Sequence, residues 1–199
     1  MSDAGIKIIR RSSFTATPWK NGGGITHEAI RVPPGGDTFL WRVSVAQIDS
    51  SGPFSDFAGY DRKMVLLRGQ GIALEFGSGG RCALRSVGDW VEFDGAMSTR
   101  CELLDGPCVD LNLMVSKSLR TAARIERVSE PTLVAAIGGE TTLIFGILDP
   151  ISLDSGAGDC ARLEPWDLAI LSGSRAHLSQ MAELEDSAPS AVFIATISP

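Results

Sequence analysis

Apolar and polar residues alternate along most of this chain with the two-residue period of half-buried β-strands, not the 3.6-residue period of amphipathic helices. The pattern predicts strands at IKIIR (6–10), ITHEAIRV (25–32), FLWRVSVAQ (39–47), GIALEF (71–76), WVEF (90–93) and VDLNLMV (109–115). It continues with TTLIFGIL (141–148), ISLD (151–154), DLAIL (167–171) and AVFIATI (191–197). Gly, Pro, Asp and Ser separate these runs at the spacing of a sandwich or barrel. One segment, SLRTAARIERV (118–128), has some helical character, limited by Pro131 and nearby β-branched residues. The expected class is all-β.

The pattern also repeats. GIALEFGSGG (71–80) resembles PISLDSGAGD (150–159), and VGDWVEFDG (87–95) resembles PWDLAILSG (165–173). Leu74 and Leu153 are 79 residues apart, Asp89 and Asp167 are 78 apart. Two matches in order at nearly one spacing read as two copies of a jelly-roll-like β unit.

Successive side chains of a strand point to opposite faces, which sorts the polar residues. Phe39, Trp41, Val43 and Val45 share one face of their strand, Arg42 and Ser44 the other. Asp110, Asn112 and Met114 lie opposite Leu111, Leu113 and Val115, and Thr26 falls with Glu28. Either these polar faces meet solvent, or together they line the interior of a barrel, a usual place for a small-molecule site.

The stretch PWKNGGGITHEAI (18–30) sets Lys20 and Asn21 directly before three glycines. Such a run serves a sharp corner or a close approach of the backbone to another group. It is not a phosphate loop: there the lysine follows the glycines and opens a helix, whereas here it precedes them and a strand follows. Lys20, Arg42 and Arg62 are instead cations suited to a carboxylate.

Composition narrows the classes of function. A chain of 199 residues can form one compact domain or two small ones without staples. Lys and Arg number 18 against 24 Asp and Glu, a net charge of −6 with no basic cluster, so nucleic acid and anionic membrane surfaces are not expected partners. No apolar run approaches the ~18 residues of a membrane span, and MSDAGIKIIRRSS lacks the apolar core of a secretory signal. Cys82, Cys101, Cys108 and Cys160 form no CxxC pair and are expected to be reduced structural thiols in the cytoplasm. With two histidines, His27 and His177, and no ligand motif or GxSxG elbow, neither a metal, a cofactor nor a serine nucleophile is expected.

PWKNGGGITHE, WRVSVAQIDSSGPFSDFAGYDRKMVLLRGQG and CELLDGPCVDLNLMV, in this order from about Ser13 to Val115, resemble the HutD/Ves family of cupin-like proteins. The resemblance implies a bicupin, two jelly-roll-type β-barrels in one chain: residues 1–118 with the ligand site and residues 119–199, intimately packed. It implies bacterial cytoplasmic proteins without the usual cupin metal. Many are encoded beside histidine-utilisation enzymes and are thought to sense or buffer an intermediate such as formylglutamate or urocanate. The Ves branch is associated with environmental stress instead. The matching positions are Trp19, Lys20, Asn21, Gly22, Gly23, Gly24, Thr26, Glu28, Arg42, Ser44, Arg62, Asp110 and Asn112.

The leading expectation is a non-enzymatic binder of a small carboxylate metabolite that regulates or buffers catabolism. Lys20, Arg42 and Arg62 would meet the carboxylate, while Asn21, Thr26, Ser44 and Asn112 supply neutral hydrogen bonds. Asp110 or Glu28 would receive an amide or amine donor, and Trp19 would form an apolar wall. The alternatives are a metal-independent isomerase, epimerase or lyase using Lys20, Glu28 or Asp110 for proton transfer, and a scaffold acting through its outer β surface. Exposed sheet edges make a homodimer reasonable.

Overall fold

The computed structural model of the protein describes residues 5–156, 160–181 and 190–199; residues 157–159, the end of one repeat match, lie outside them. The strands are β1 (Gly5–Ile9), β2 (Thr15–Pro18), β3 (Gly24–Val32), β4 (Trp41–Ile48), β5 (Gly52–Pro53), β6 (Tyr60–Arg68), β7 (Ile72–Phe76), β8 (Arg81–Leu84), β9 (Trp90–Asp94), β10 (Thr99–Leu103) and β11 (Cys108–Ser116). They continue as β12 (Arg120–Val128), β13 (Thr132–Ala135), β14 (Thr141–Gly146), β15 (Ile151–Asp154), β16 (Cys160–Leu163), β17 (Leu168–Ser172), β18 (Arg175–Gln180) and β19 (Ser190–Ser198). A single 3₁₀ turn, Arg11–Ser13, is the only helical piece among the described residues.

Phe14–Ser118 form one compact unit, and Leu119–Pro199 form the other together with the segment ending at Ser13. The sequence reading places that segment in the first unit. The difference has a local cause: β1 pairs antiparallel with β17 along five residues, and Ile6 and Ile8 pack on the core of the second unit. The segment expected to have helical character is strand β12, paired with β19 along nine residues. Its exposure alternates residue by residue from Arg120 to Ile125, and pairing with the apolar β19 overrides local propensity.

Each unit is a pair of antiparallel sheets around an apolar core. In the first, the sheet β2-β3-β4-β11-β6-β9 faces the sheet β5-β10-β7-β8. Ile48, Met64, Leu66, Ile72, Leu74, Leu84, Phe93, Cys101 and Cys108 fill the space between them. In the second, the sheets are β1-β17-β14-β19-β12 and β13-β18-β15-β16, with Val128, Ile144, Leu153, Leu171, Leu178, Val192 and Ile194 among the core residues.

These orders are one topology written twice: β4 to β11 recur as β12 to β19, strand for strand, in both sheets. The equivalence extends to single bonds. Leu74 opposes Cys82 and Cys101, as Leu153 opposes Ala161 and Leu178. Before β9, Gly88 N–H donates to Leu66 C=O and Leu66 N–H to Asp89 C=O; before β17, Trp166 and Asp167 make the same pair of bonds with Gly146. Asp89 Oδ2 accepts from Ser86 N–H (2.9 Å), as Asp167 Oδ2 accepts from Glu164 N–H (3.3 Å). The turn needs positive φ, supplied by Gly88 at +91° in one copy and by Trp166 at +70° in the other. Holding a tryptophan there is strained, and Arg11 stacks over its ring at 4.1 Å.

Candidate functional site

The glycine-rich turn between β2 and β3 shows why three glycines stand together. Gly22 adopts φ +71° in open space, and Asn21 Oδ1 accepts Gly23 N–H at 3.0 Å, closing the corner. Gly24 is needed for clearance: a Cβ there would lie 2.3 Å from the Gln47 carbonyl oxygen and 3.2 Å from the Trp19 ring. The corner and the close approach are both real, at different glycines. The result folds Trp19 back over β3, where its Nε1–H donates to Thr26 Oγ1 (2.8 Å) and its ring meets Phe54 edge-on at 6.5 Å.

Below this turn the first unit holds a cavity of about 640 Å³. Nine of the ten candidate ligand residues line it: Trp19, Lys20, Asn21, Thr26, Arg42, Ser44, Arg62, Asp110 and Asn112. Sequence reasoning missed Phe54, Ser55 and Phe57, from the loop between β5 and β6, and used Met114 only to define a strand face. Those loop residues have no strand period to reveal them.

Cross-strand register arranges the polar residues in rows. Met114 of β11 lies between Arg42 of β4 and Arg62 of β6; Asn112 lies between Ser44 and Met64; Asp110 lies between Ala46 and Leu66. Each row steps about 7 Å along the strands. The apolar cluster takes in Met64 of the second row and continues past the last row at Leu66 and Cys108. Lys20 and Asn21 are exposed at the rim, whereas Ser44, Asn112 and Asp110 are buried. Of the two readings of the polar strand faces, the interior one describes this unit.

Glu28, the tenth candidate, does not line the cavity. Its Oε2 accepts Arg42 Nε (2.5 Å) and Arg31 Nη2 (3.0 Å). Partial burial works to raise its carboxyl, but the two arginine bonds outweigh it and hold the group below its ordinary value. Glu28 thus fixes the ε edge of Arg42. Arg62 is held differently. Its Nε and Nη2 donate to Asn112 Oδ1 at 3.3 and 2.9 Å, and Phe93, Phe54 and Phe57 surround its guanidinium at 5.0, 5.3 and 5.5 Å. Burial pulls its pKa down to about 10, with the Asp110 charge opposing and the Arg42 charge assisting.

Asn112 passes the contact on, its Nδ2 donating to Asp110 Oδ1 at 2.7 Å. Burial pushes the Asp110 carboxyl up to about 7, against the Asn112 bond and the Arg62 charge. No group of three His, Cys, Asp or Glu side chains comes together as a metal site among the described residues. Nor is any helix among them long and apolar enough to cross a membrane.

Two sandwiches of one topology, the first with a polar interior, make this a cupin-like all-β protein. The same fold appears in oxalate decarboxylase, with a TM-score of 0.65 at 7% identity over the whole of this chain and 78% of that one. More specifically, the chain belongs to the HutD family, whose sequence profile matches residues 11–188. It is 33% identical over 171 residues to an uncharacterised 21.2 kDa protein from the hutC 3′ region of Pseudomonas putida, covering 85% of this chain and 88% of that one. A protein Ves from Escherichia fergusonii is 32% identical over 131 residues, 65% and 68% of the two chains. Among solved structures, a conserved protein of unknown function from Pseudomonas aeruginosa superposes with a TM-score of 0.85 at 29% identity, covering 98% of this chain and 100% of that one. HutD from Pseudomonas fluorescens does so with a TM-score of 0.79 at 26% identity and the same coverage.

Proposed function

We propose that this protein is a non-enzymatic binder of a small carboxylate metabolite, of the formylglutamate or urocanate kind, that regulates or buffers histidine catabolism. The observation that carries the reading is the contrast between the two copies of the fold. Register equates Asp110, Asn112, Arg62 and Met114 of the first unit with Val192, Ile194, Thr142 and Thr196 of the second. Val192 and Ile194 belong to a continuous apolar core. The topology is therefore satisfied by apolar side chains at the two central positions, and burying an aspartate and an asparagine there is costly unless they serve something else.

Cations at the rim and along the first row suit a carboxylate: exposed Lys20, and Arg42 with its Nε fixed on Glu28 and its η nitrogens available for charge-assisted bonds. Ser44 and Thr26 add neutral partners, and Trp19 with Phe54 forms an apolar wall. The hutC-region name of the Pseudomonas putida relative supports the link to histidine utilisation.

Thermal denaturation with each of the two compounds tests this. A ligand at about 100 times its Kd adds about 2.7 kcal/mol to the stability of the form that binds it, and Lys20→Ala should fold normally while losing most of the shift. No shift with either compound would sink the proposal. Recovered from D2O after incubation with the protein, the ligands should keep their carbon-bound hydrogens; exchange would favour the isomerase or lyase alternative.

A further inference from the structure

Carboxylate binding by Lys20 and Arg42 leaves Asp110 unexplained. It lies in the innermost polar row, 1% exposed, beside Leu66 and two residues from Cys108 of the apolar cluster. Oδ1 accepts the Asn112 amide, while Oδ2 accepts no hydrogen bond among the described residues and, not being one of the fully enclosed unpaired polar atoms, opens on the cavity. Buried carboxylate oxygens are ordinarily satisfied, and the fold does not demand this one, because Val192 stands in its place in the sister unit. Asp110 also lines the cavity, so a bound molecule can supply the missing donor.

The charged and titratable groups around it do not. Arg62 of β6 reaches Asp110 through Asn112 Oδ1, and Arg42 of β4 is held on Glu28. Cys101 of β10 remains a neutral thiol, since burial, chiefly, pushes it up to about 11. Cys108, on the same strand as Asp110, points its Sγ to the Gly71 carbonyl. Lys20 is exposed at the rim.

We propose that Asp110 is the specificity-determining residue of this cavity: it accepts a hydrogen bond from a neutral N–H or O–H group at the buried end of the ligand and excludes a second carboxylate there. The inference rests on the rim being a carboxylate site. In a buried site two carboxylates repel strongly, whereas an N–H donor meeting an ionised oxygen makes a charge-assisted bond. Asp110 ionises around pH 7. Above that pH it rejects a carboxylate; below it, its own O–H can donate to one.

The full-length protein should be titrated calorimetrically with matched pairs differing only at one end, glutarate against glutaramate and succinate against succinamate. Near pH 8.5 the half-amide of the better-fitting pair should bind at least about tenfold more tightly than its dicarboxylate, a difference of about 1.4 kcal/mol. Near pH 6 the gap should narrow because dicarboxylate affinity rises. Asp110→Asn should narrow it at both pH values. A dicarboxylate that binds as tightly as its half-amide near pH 8.5 overturns the inference, as does a gap that persists unchanged in folded Asp110→Asn. The comparison within the wild type stands alone should that variant fail to fold. If none of the four compounds binds, the carboxylate reading of the rim falls, and this inference with it.

Discussion

Replacing Asp110 by Asn should alter how stability depends on pH. Burial raises this carboxyl from its ordinary value of 3.8 to about 7, so the native state holds the proton more tightly than the unfolded chain does. Well below its ordinary value of 3.8 the group is protonated in both states and contributes no penalty. As pH climbs from 4 to 7 the unfolded chain ionises first and wild-type stability falls; above about 7 the penalty is complete. At about 1.4 kcal/mol per pH unit over about three pH units, it reaches about 4 kcal/mol. Asparagine carries no such penalty. The pull of the Arg62 charge is already contained in the raised Asp110 value, and Arg62 itself titrates only at about 10, so neither adds a separate slope between pH 5 and 8. Urea unfolding of both proteins between pH 5 and 9 measures the effect, with Trp19, Trp41 and Trp90 reporting on the first unit. The variant should gain on the wild type by about 3 kcal/mol from pH 5 to pH 8 and then level off. A difference that stays flat across this range would refute the reasoning, whatever its absolute size.

Two further outcomes follow from the turn and from the arginine cluster. Gly24→Ala forces a Cβ onto the Gln47 carbonyl and should lower stability by about 2–3 kcal/mol, against about 1 kcal/mol for Gly22→Ala, which has open space but positive φ; equal losses in denaturation would contradict the clearance role. Glu28→Gln should leave the melting temperature nearly unchanged, since its ion pairs are partly exposed, yet weaken carboxylate binding by about tenfold as Arg42 loses its fixed edge. Unchanged affinity by calorimetry would show that Arg42 needs no such support.

Much of this architecture is legible in the chain because alternation is a local signal. VDLNLMV divides into a polar and an apolar face on inspection, and the structure keeps that division, with Asp110 and Asn112 toward the cavity. The repeat is legible for the same reason: Leu74 and Leu153 hold equivalent places in paired strands, and Asp89 and Asp167 equivalent places in the turns before β9 and β17. Strand β6 was harder. YDRKMVLLR is buried on both faces, with Arg62 on Asn112 and Lys63 paired with Glu92 at 2.8 Å, so its charges break the alternation that marks a half-exposed strand. Glu28 misled because its neighbour Thr26 shares its face. Between Glu28 and Ile30 the β3–β4 register slips, and only contacts distant in sequence show that Glu28 serves Arg42. The home of β1 depended on a partner more than 150 residues away, Leu168–Ser172, which no local pattern can announce.

That long-range pairing has a consequence for synthesis. Phe14–Ser118 is, topologically, an insertion between β1 and the remainder of the second unit. When the ribosome has delivered the whole of the first unit, GIKII still lacks the edge it will occupy, because β17 is yet to be made. Domains tend to fold as they emerge, and distant pairings close slowly. The unit that holds the cavity can thus be complete while an apolar strand trails from its front end. Arg10 and Arg11, which meet the late-arriving Asp167 through Nη1 (2.7 Å) and the backbone N–H (2.8 Å), then act as the clasp that ends assembly: a strand built before the first unit is among the last to find its place.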